Sequence, residues 1–467
     1  MSEKHEEKTF RDKISTVNQD GERVWVHCKK PSGKFYTYRS ILAYFLLAFL
    51  IFAPIIKING EPMILLDVLG RRFILFGTVF WPQDFYLFYL IMLSFIVFVI
   101  LFTVVYGRLF CGWVCPQTIF MEFVFRKIEW LIEGTPAQQI KLKKQPWNFE
   151  KIWKRVLKHS VFWGISFFIA NVFLAYLIGV DKLVKIVEDP IYEHLTGFMA
   201  IVIFTSAFYF IFAWFREQVC TLMCPYGRLQ GVLLDNNSIV VAYDEYRGEP
   251  RGVAKKAEKE AGIVKGDCID CKQCVAVCPT GIDIRNGNQL ECINCTACID
   301  ACDAVMVKIG KPKGLIRYDS LEGIKTGKKF KLTPRNIAYS VVLVLILAFA
   351  SYMMFTRSIT ETTILRTPGM TYQVQGNEIS NLYNYKIVNK SNSDIDISIK
   401  LLEPAYGRIV VSGQNHLKYN TSVEGIIVVY LPKNKIKQKS IKLHFGIFSG
   451  DKILEDYTTN FTGPEIK

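Results

Sequence analysis

The chain has 467 residues, 51% of them apolar, with a formal net charge of +15 and 13 cysteines. An apolar content this high, gathered into long runs, excludes an ordinary soluble globular protein. The positive charge would suit nucleic acid, but no helix-turn-helix or RNA-binding motif accompanies it. The Lys and Arg residues instead flank the apolar runs, where they set topology and meet anionic lipid.

In chain order, residues 1–39 form a polar arm carrying Lys29, Lys30, Lys34 and Arg39. Cys28, beside His27, is a lone thiol with too few neighbours for a metal site and reads as incidental. The first apolar run is Ile41–Ile58. It begins after about forty polar residues and lacks a small-residue cleavage pattern, so it is not a cleavable signal peptide. The runs Phe85–Val105, Val161–Val180, Phe198–Phe215 and Ile337–Phe355 follow, each near the length that crosses a bilayer as a helix.

Several residues around the runs have ordinary readings. Trp81, Tyr86 and Tyr89 suit an interfacial aromatic belt. Asp84 and Glu122 lie at span edges and cost little there. The Lys141–Lys144 run is a solvated, lipid-facing patch. His159 and His194 flank the third and fourth runs, and one histidine per level reads as structural ahead of haem ligation. Met353 and Met354 close the fifth run and read as packing residues.

Two copies of one thiol motif follow the second and fourth runs. They are Cys111-Gly-Trp-Val-Cys115-Pro116 and Cys220-Thr-Leu-Met-Cys224-Pro225. Cysteines at i and i+4 share a helical face, and the proline after each pair favours a helix break. Each motif is therefore expected to be a kinked helix end with two thiols pointing one way. Arg108 and Arg216 precede the pairs as matching flanks and should favour the thiolate form. Four such thiols brought together suit Cu(I), zinc or an iron–sulfur cluster. Spacing leaves open whether they hold a metal or cycle as a dithiol.

The densest cysteine segment comes next. It reads Cys268-x2-Cys271-x2-Cys274-x3-Cys278-Pro279, then Cys292-x2-Cys295-x2-Cys298-x3-Cys302. This is bacterial ferredoxin spacing for two [4Fe-4S] clusters, with the fourth cysteine of each run serving the other cluster. One cluster takes Cys268, Cys271, Cys274 and Cys302, and the other takes Cys292, Cys295, Cys298 and Cys278. Zinc sites use two separated pairs, and disulfides need an oxidising compartment, so both fit less well. Asp303 stands where a simple ferredoxin has proline, which removes no ligand.

Beyond about residue 357 the pattern changes to short alternating runs: Tyr383–Val388, Ile395–Leu401, Arg408–Val411, Gly425–Tyr430 and Ile441–Phe445. Turn residues separate them, which predicts an all-β sandwich. Its histidines, His416 and His444, read as structural. Basic residues crowd the arm, the segment between runs two and three, and residues 216–335. The N-terminus and the ferredoxin insert are therefore expected on the cytoplasmic side, with the tail outside. The expected fold is a multi-domain membrane protein: a five-helix α transmembrane bundle, an inserted bacterial-type 2[4Fe-4S] ferredoxin domain, and a C-terminal all-β immunoglobulin-like sandwich. The expected divisions are an arm (1–39), four helices with both thiol motifs (40–235), the ferredoxin domain (236–335), the fifth helix (336–356) and the outer domain (357–467).

The motifs also carry a resemblance. Arg72-Phe73, Phe76-Gly77 and Trp81-Pro82-Gln83-Asp84-Phe85 belong to it, with Tyr106-Gly107-Arg108, Cys111 to Gln117, and Ile128-Glu129. So do Arg216-Glu217-Gln218-Val219-Cys220, Cys224-Pro225-Tyr226-Gly227-Arg228, Tyr243-Asp244 and Arg247-Gly248-Glu249-Pro250-Arg251-Gly252. Gly281-Ile282-Asp283-Ile284-Arg285 and Gly314-Leu315-Ile316-Arg317-Tyr318 complete the set. Over residues from about 35 to 335 the chain resembles the CcoG family, also called FixG or RdxA, the accessory proteins of cbb3-type cytochrome c oxidase.

The resemblance implies an oxidoreductase of the bacterial inner (cytoplasmic) membrane, a cupric reductase that supplies Cu(I) for the oxidase copper site. Cys111, Cys115, Cys220 and Cys224 would be its copper-handling or electron-relay thiols, with copper bound there. Its partners would be the oxidase or its assembly factors, a copper exporter or chaperone, an electron donor of unstated identity, and membrane lipid. Two other readings compete. One is a transmembrane electron carrier between a quinol or cytoplasmic donor and a periplasmic partner. The other is a non-catalytic assembly scaffold or redox sensor. No G-x-G-x-x-G fingerprint marks a dinucleotide site.

Overall fold

A computed structural model describes every residue except 1–14, 19, 59, 69, 71, 82–83, 254–264, 328–332, 357, 359, 370, 392 and 465–467. Pro82 and Gln83 of the family motif, the start of the arm and residue 357 lie outside the described residues. The chain divides into two compact units, residues 1–76 with 82–348, and residues 77–81 with 349–467.

Five helices are long and apolar enough to cross a membrane: Lys34–Phe52, Phe85–Tyr106, Phe149–Ile178, Ile191–Phe215 and Pro334–Phe355. Their number agrees with the apolar runs, but several boundaries move, the start of the fourth helix (Ile191) among them. The first helix starts at Lys34, seven positions before the run, and stops at Phe52. Pro54 cannot continue it, and Lys57–Ile58 instead pairs as a short strand with Glu61–Pro62. The third helix starts at Phe149, where the Asn148 side chain accepts the Lys151 N–H at 2.9 Å. Two of the charges in its first turns, Lys151 and Lys158, are covered by protein. Lys158, for example, is 6% exposed and lies 2.8 Å from Glu133.

The third and fourth spans pack together around Phe162 and Phe212. Phe125 stacks on Phe212 with ring centroids 4.7 Å apart and meets Phe162 edge-on. π-helical turns occur at Phe120–Phe125, Ile211–Phe215 and Val219–Met223. All three lie beside the thiol motifs, where such bulges re-aim side chains.

The ferredoxin segment is closed by an antiparallel pair, Val240–Tyr243 with Ile316–Asp319, in register Val240↔Asp319 to Tyr243↔Ile316. Its core joins Ile282, Ile284, Ile299, Met306, Leu315 and Ile316 to the cysteines.

The second unit is a β-sandwich. One sheet runs Arg408–Ser412, Ser422–Pro432, Glu378–Asn389, Thr360–Arg366, with Gln373–Gln375 also paired to Glu378–Asn389. The other runs Ser398–Glu403, Ser440–Ser449, Lys452–Thr462. Alternate residues such as Ile427, Val429 and Leu431 on one sheet, and Leu443, Phe445 and Ile447 on the other, fill a shared core. Four of the five expected runs lie within single strands, and the fifth, Ile395–Leu401, is split between Ile395–Asp396 and Ser398–Glu403, with Ile397 in neither. Thr360–Arg366 and Lys452–Thr462 lack a clean apolar alternation, because threonines fill buried positions of the first (Thr360, Thr362) and Lys, Asp, Thr and Asn line the exposed face of the second.

Candidate functional site

Each thiol motif begins with the same backbone event. The second span ends at Gly107 (φ 56°, ψ −130°), and the fourth ends at Arg216 (φ 53°, ψ −123°). The chain reverses there, makes one short helical turn bearing Cys111 or Cys220, and starts a new helix at Pro116 or Pro225. The prolines therefore sit at the first position of a following helix, where the missing N–H costs nothing. This corrects the expected kinked helix end. Cys115 and Cys224 are the N-cap residues of those helices. The Cys115 side chain makes no cap hydrogen bond to its helix.

The four thiols of the two motifs come together. Cys220 lies within electrostatic reach of Cys115, Cys111 and Cys224, and Cys111 within reach of Cys115 and Cys224. Inter-repeat hydrogen bonds lock the arrangement. Gln117 Nε2 donates to the Arg216 carbonyl at 3.2 Å, and Arg108 Nη2 donates to the Gly227 carbonyl at 2.8 Å. The fully buried Gln230 places its amide 3.3–3.4 Å from the Cys111 sulfur.

Arg108 and Arg216 are not equivalent, contrary to the matching flanks expected. Arg216 aligns with Gly107, and its guanidinium is held by Glu129 at 2.8 Å. Nor do arginines make these thiols acidic. Burial pushes Cys111 up to about 11, against a smaller opposing pull from the Gln230 hydrogen bond. Burial, reinforced by the neighbouring thiols, pushes Cys220 up to about 12. Without a bound cation these groups are neutral thiols. A metal ion would deprotonate them outright.

The first motif is seated on the ferredoxin segment. Cys111 packs against the cluster of Val277, Ile293, Cys295 and Ala297. Gly112 makes this possible, since a Cβ there would collide with the Ile293 carbonyl oxygen and lie 3.0 Å from that of Asn294. Arg39 Nε donates to the Gly112 carbonyl at 3.0 Å, and Arg108 Nη1 donates to the Leu290 carbonyl. Trp113 Nε1 reaches the Tyr318 hydroxyl at 3.0 Å, which in turn donates to the Asn294 carbonyl.

Within the ferredoxin segment, the thiols acting electrostatically on Cys302 are Cys274, Cys268 and Cys271. Those acting on Cys298 are Cys295, Cys292 and Cys278, with Cys274 more weakly. Each fourth cysteine thus lies with the other run's three. The two loops also share a backbone. Asp270 and Lys272 flank Cys271 with positive φ, and Asn294 and Thr296 flank Cys295 in the same way. Alternating hand turns successive N–H groups inward and makes an anion-binding concavity. The donor set and the loop curvature both fit anionic clusters of iron and sulfur.

Beneath the site runs a buried ion network that composition did not reveal. Glu122, expected to be a cheap span-edge charge, is 7% exposed and pairs with Arg126 at 2.7 Å. Asp84, expected to be similar, is buried as well. Arg126 also nears Glu217, and Glu129 holds both Arg216 and Lys158. These cations hold the Glu129 carboxyl down to about 2 despite its burial.

Cys28 proves buried rather than incidental. Arg126 Nη1 donates to its sulfur at 2.8 Å, and burial pushes its thiol up to about 12. The arm around it is pinned by Lys29 N–H to the Ala276 carbonyl at 2.7 Å. Among the described residues, the histidines expected to be structural have polar partners. His159 meets the Tyr209 hydroxyl at 2.8 Å, His416 meets Asp396 at 2.8 Å, and His444 meets Thr458 at 3.2 Å. His194 lies 3.0 Å from Asp189, in an Asp189, Glu193, His194 group that is largely exposed and contains no cysteine.

Three family models match the chain. Residues 215–321 match a 4Fe-4S dicluster domain, 350–464 match the Ig-like fold at the C-terminus of FixG, and 88–133 match a 4Fe-4S binding domain. The cysteines within 88–133 are Cys111 and Cys115. Nitrogen fixation protein FixG of Rhizobium meliloti is 39% identical over 63% of this chain and 56% of its own length. Protein RdxA of Cereibacter sphaeroides is 41% identical over 56% of this chain and 54% of its own. The chain thus spans about half the length of these two relatives. Protein RdxB of the same organism is 33% identical over 81% of this chain and 82% of its own length. A solved FixG-related protein from Vibrio parahaemolyticus covers 23% of this chain and 97% of its own, at 13% identity and a TM-score of 0.19.

Proposed function

The chain belongs to the FixG/CcoG family of membrane iron–sulfur proteins, and from that premise we propose that it is a cupric reductase serving the maturation of cbb3-type cytochrome c oxidase. Cys268, Cys271, Cys274 and Cys302 hold one [4Fe-4S] cluster, and Cys292, Cys295, Cys298 and Cys278 hold the second. Such clusters, when bound, supply electrons one at a time. The substrate is Cu(II), which needs one electron to become Cu(I).

One observation carries the reading. The four thiols Cys111, Cys115, Cys220 and Cys224 form a single centre whose first turn is wedged, through Gly112, against Ile293 and Asn294 of the second ferredoxin run. The residues each have a task in this reading. Gly112 keeps the thiol turn in contact with the ferredoxin loop. Arg39 and Arg108 clamp that contact from two sides. Soft sulfur favours Cu(I) over Cu(II), so the centre biases the reaction toward the reduced ion. The excess of Lys and Arg in the arm, in the segment after the second span and around the ferredoxin supports a cytoplasmic location for the centre, with the sandwich outside. Partners in this reading are the oxidase or its assembly factors and a copper exporter or chaperone.

The test is made in cells. A strain carrying Cys111→Ser and Cys220→Ser should assemble an oxidase depleted in copper, and added copper should partly restore it. Oxidase with normal copper content in that strain would sink the proposal and favour a scaffold or a general carrier.

A further inference from the structure

We propose that a basic cavity, walled by the N-terminal arm, the segment after the first thiol motif and the first ferredoxin run, binds the headgroup of one anionic phospholipid. This goes beyond the copper reading and stands without it.

The cavity has a volume of about 790 Å³, within the range of small-molecule sites. Lys29, Lys30 and Lys127 line it, with His27 beside them. Among the described residues, no carboxylate lines it. Two of the lysines reach neutral groups instead. Lys29 Nζ donates to Gln273 Oε1 at 3.2 Å, and Lys127 Nζ donates to the Tyr44 hydroxyl. A concave surface with charge of one sign concentrates ions of the other. Lysine ammonium groups meet phosphate as point charges.

The lysines cannot drift apart, because the layer beneath them is fixed. Cys28 and Arg126 are both buried, with Arg126 Nη1 2.8 Å from the Cys28 sulfur. Their chain neighbours Lys29 and Lys127 line the cavity above that contact. The Lys29 N–H also donates to the Ala276 carbonyl at 2.7 Å, which fastens the arm to the first ferredoxin run. Cations from two separate segments are thus held around one space. An anion between them relieves their mutual repulsion.

Depth favours a lipid over a soluble anion. Tyr44 lies on the helix Lys34–Phe52, one turn past Ile41, where the first apolar run begins. The Lys127 ammonium lies 4.6 Å from the Tyr44 ring centre. That puts it at the level where a bilayer presents its phosphates. Lys127, Trp130 and Leu131 share one face of the helix Arg126–Ile132. The half-buried Trp130 and the exposed Leu131 therefore add an apolar wall beside the charge. Such a wall suits the glycerol and first acyl carbons of a lipid and does nothing for a free phosphate. Basic pockets beside spanning helices take anionic headgroups in this way.

The experiment is native mass spectrometry of the full-length protein in detergent, titrated in parallel with dioleoylphosphatidylglycerol and dioleoylphosphatidylcholine. One phosphatidylglycerol per chain should be held at least about tenfold more tightly than phosphatidylcholine. A Lys29→Gln, Lys30→Gln, Lys127→Gln variant should lose that preference while its ferredoxin absorbance is unchanged. A Lys141→Gln, Lys143→Gln, Lys144→Gln variant removes the same charge from the adjoining helix Pro136–Lys144 and should keep it. Equal loss in both variants would mean general attraction to the basic face and would overturn the inference. So would a wild type without preference, whether or not the variants fold. Glycerol 1-phosphate and inorganic phosphate, each added alone, should not displace the lipid. Binding of either as tightly as phosphatidylglycerol, lost in the first variant, would give the cavity to a soluble phosphate and overturn the lipid assignment. None of these readouts involves copper, so they leave the cupric reductase reading to its own test.

Discussion

Gly112 is the residue on which the contact between thiols and ferredoxin turns. Its helical turn approaches the Ile293 carbonyl so closely that any side chain must push the two apart. Gly112→Val is expected to cost about 1–3 kcal/mol of stability by overpacking. It should also slow copper reduction at least tenfold while the ferredoxin iron stays bound. Stopped-flow oxidation of the reduced protein by Cu(II) would read the rate, and unchanged kinetics would remove Gly112 from the account. A second prediction concerns Glu129, which Arg216 and Lys158 share. Its carboxyl is held at about 2, below the roughly 4.3 of a free glutamate, so its contribution is present at neutral pH and drains away between about pH 4 and pH 2. Glu129→Gln leaves two buried cations short of charge and should cost about 3–5 kcal/mol. Thermal unfolding in detergent from pH 7 down to pH 2 should show the acid-dependent loss in wild type and a smaller one in the variant.

At this scale the cysteines were legible, because thiol spacing is a local property. Gln230, Arg39 and the Glu122–Arg126 pairing were not. Each draws its meaning from a partner that the fold supplies. Gln230 lies more than a hundred positions from Cys111, and nothing in its own segment marks it.

At the scale of elements, the five spans could be read from apolar runs, but their ends could not. Pro54 stops the first helix inside its run, and the third helix extends into a charged stretch because Glu129 and Glu133 cover Lys158. The thiol motifs show the same limit. A proline after the second cysteine suggested a break, and only the fold shows it opening a new helix with Cys115 as its cap. Pro116→Ala should therefore be mild, changing stability by less than about 1 kcal/mol and leaving the metal content intact. A loss of iron in that variant would show that the proline does more than start a helix. In the sandwich, central strands such as Ser422–Pro432 were visible from their alternation. The edge strands Thr360–Arg366 and Lys452–Thr462 were not, because threonines and charged residues break their apolar pattern, whereas the edges Arg408–Ser412 and Ser398–Glu403 keep theirs.

For the whole molecule, the two units have separate cores and are expected to fail separately. Phe445 is fully buried between the sheets, and Phe445→Ala should cost about 3–5 kcal/mol in the sandwich transition without altering the iron content or spectrum. A loss of iron on that substitution would mean that the units fold as one. The charge asymmetry makes a topological prediction too. Protease added to intact spheroplasts should trim the chain beyond the fifth span and spare the ferredoxin segment, whereas the reverse pattern would invert the proposed orientation.

The most direct test of the central claim is anaerobic reduction of Cu(II) by the purified, chemically reduced protein, followed with a Cu(I)-specific chelator. The control is a variant with Cys111, Cys115, Cys220 and Cys224 all changed to Ser and its ferredoxin signals verified. The account predicts that wild type reduces copper and the variant does not. Equal reduction by both would mean that the ferredoxin clusters reach copper without the thiol centre, and would contradict it.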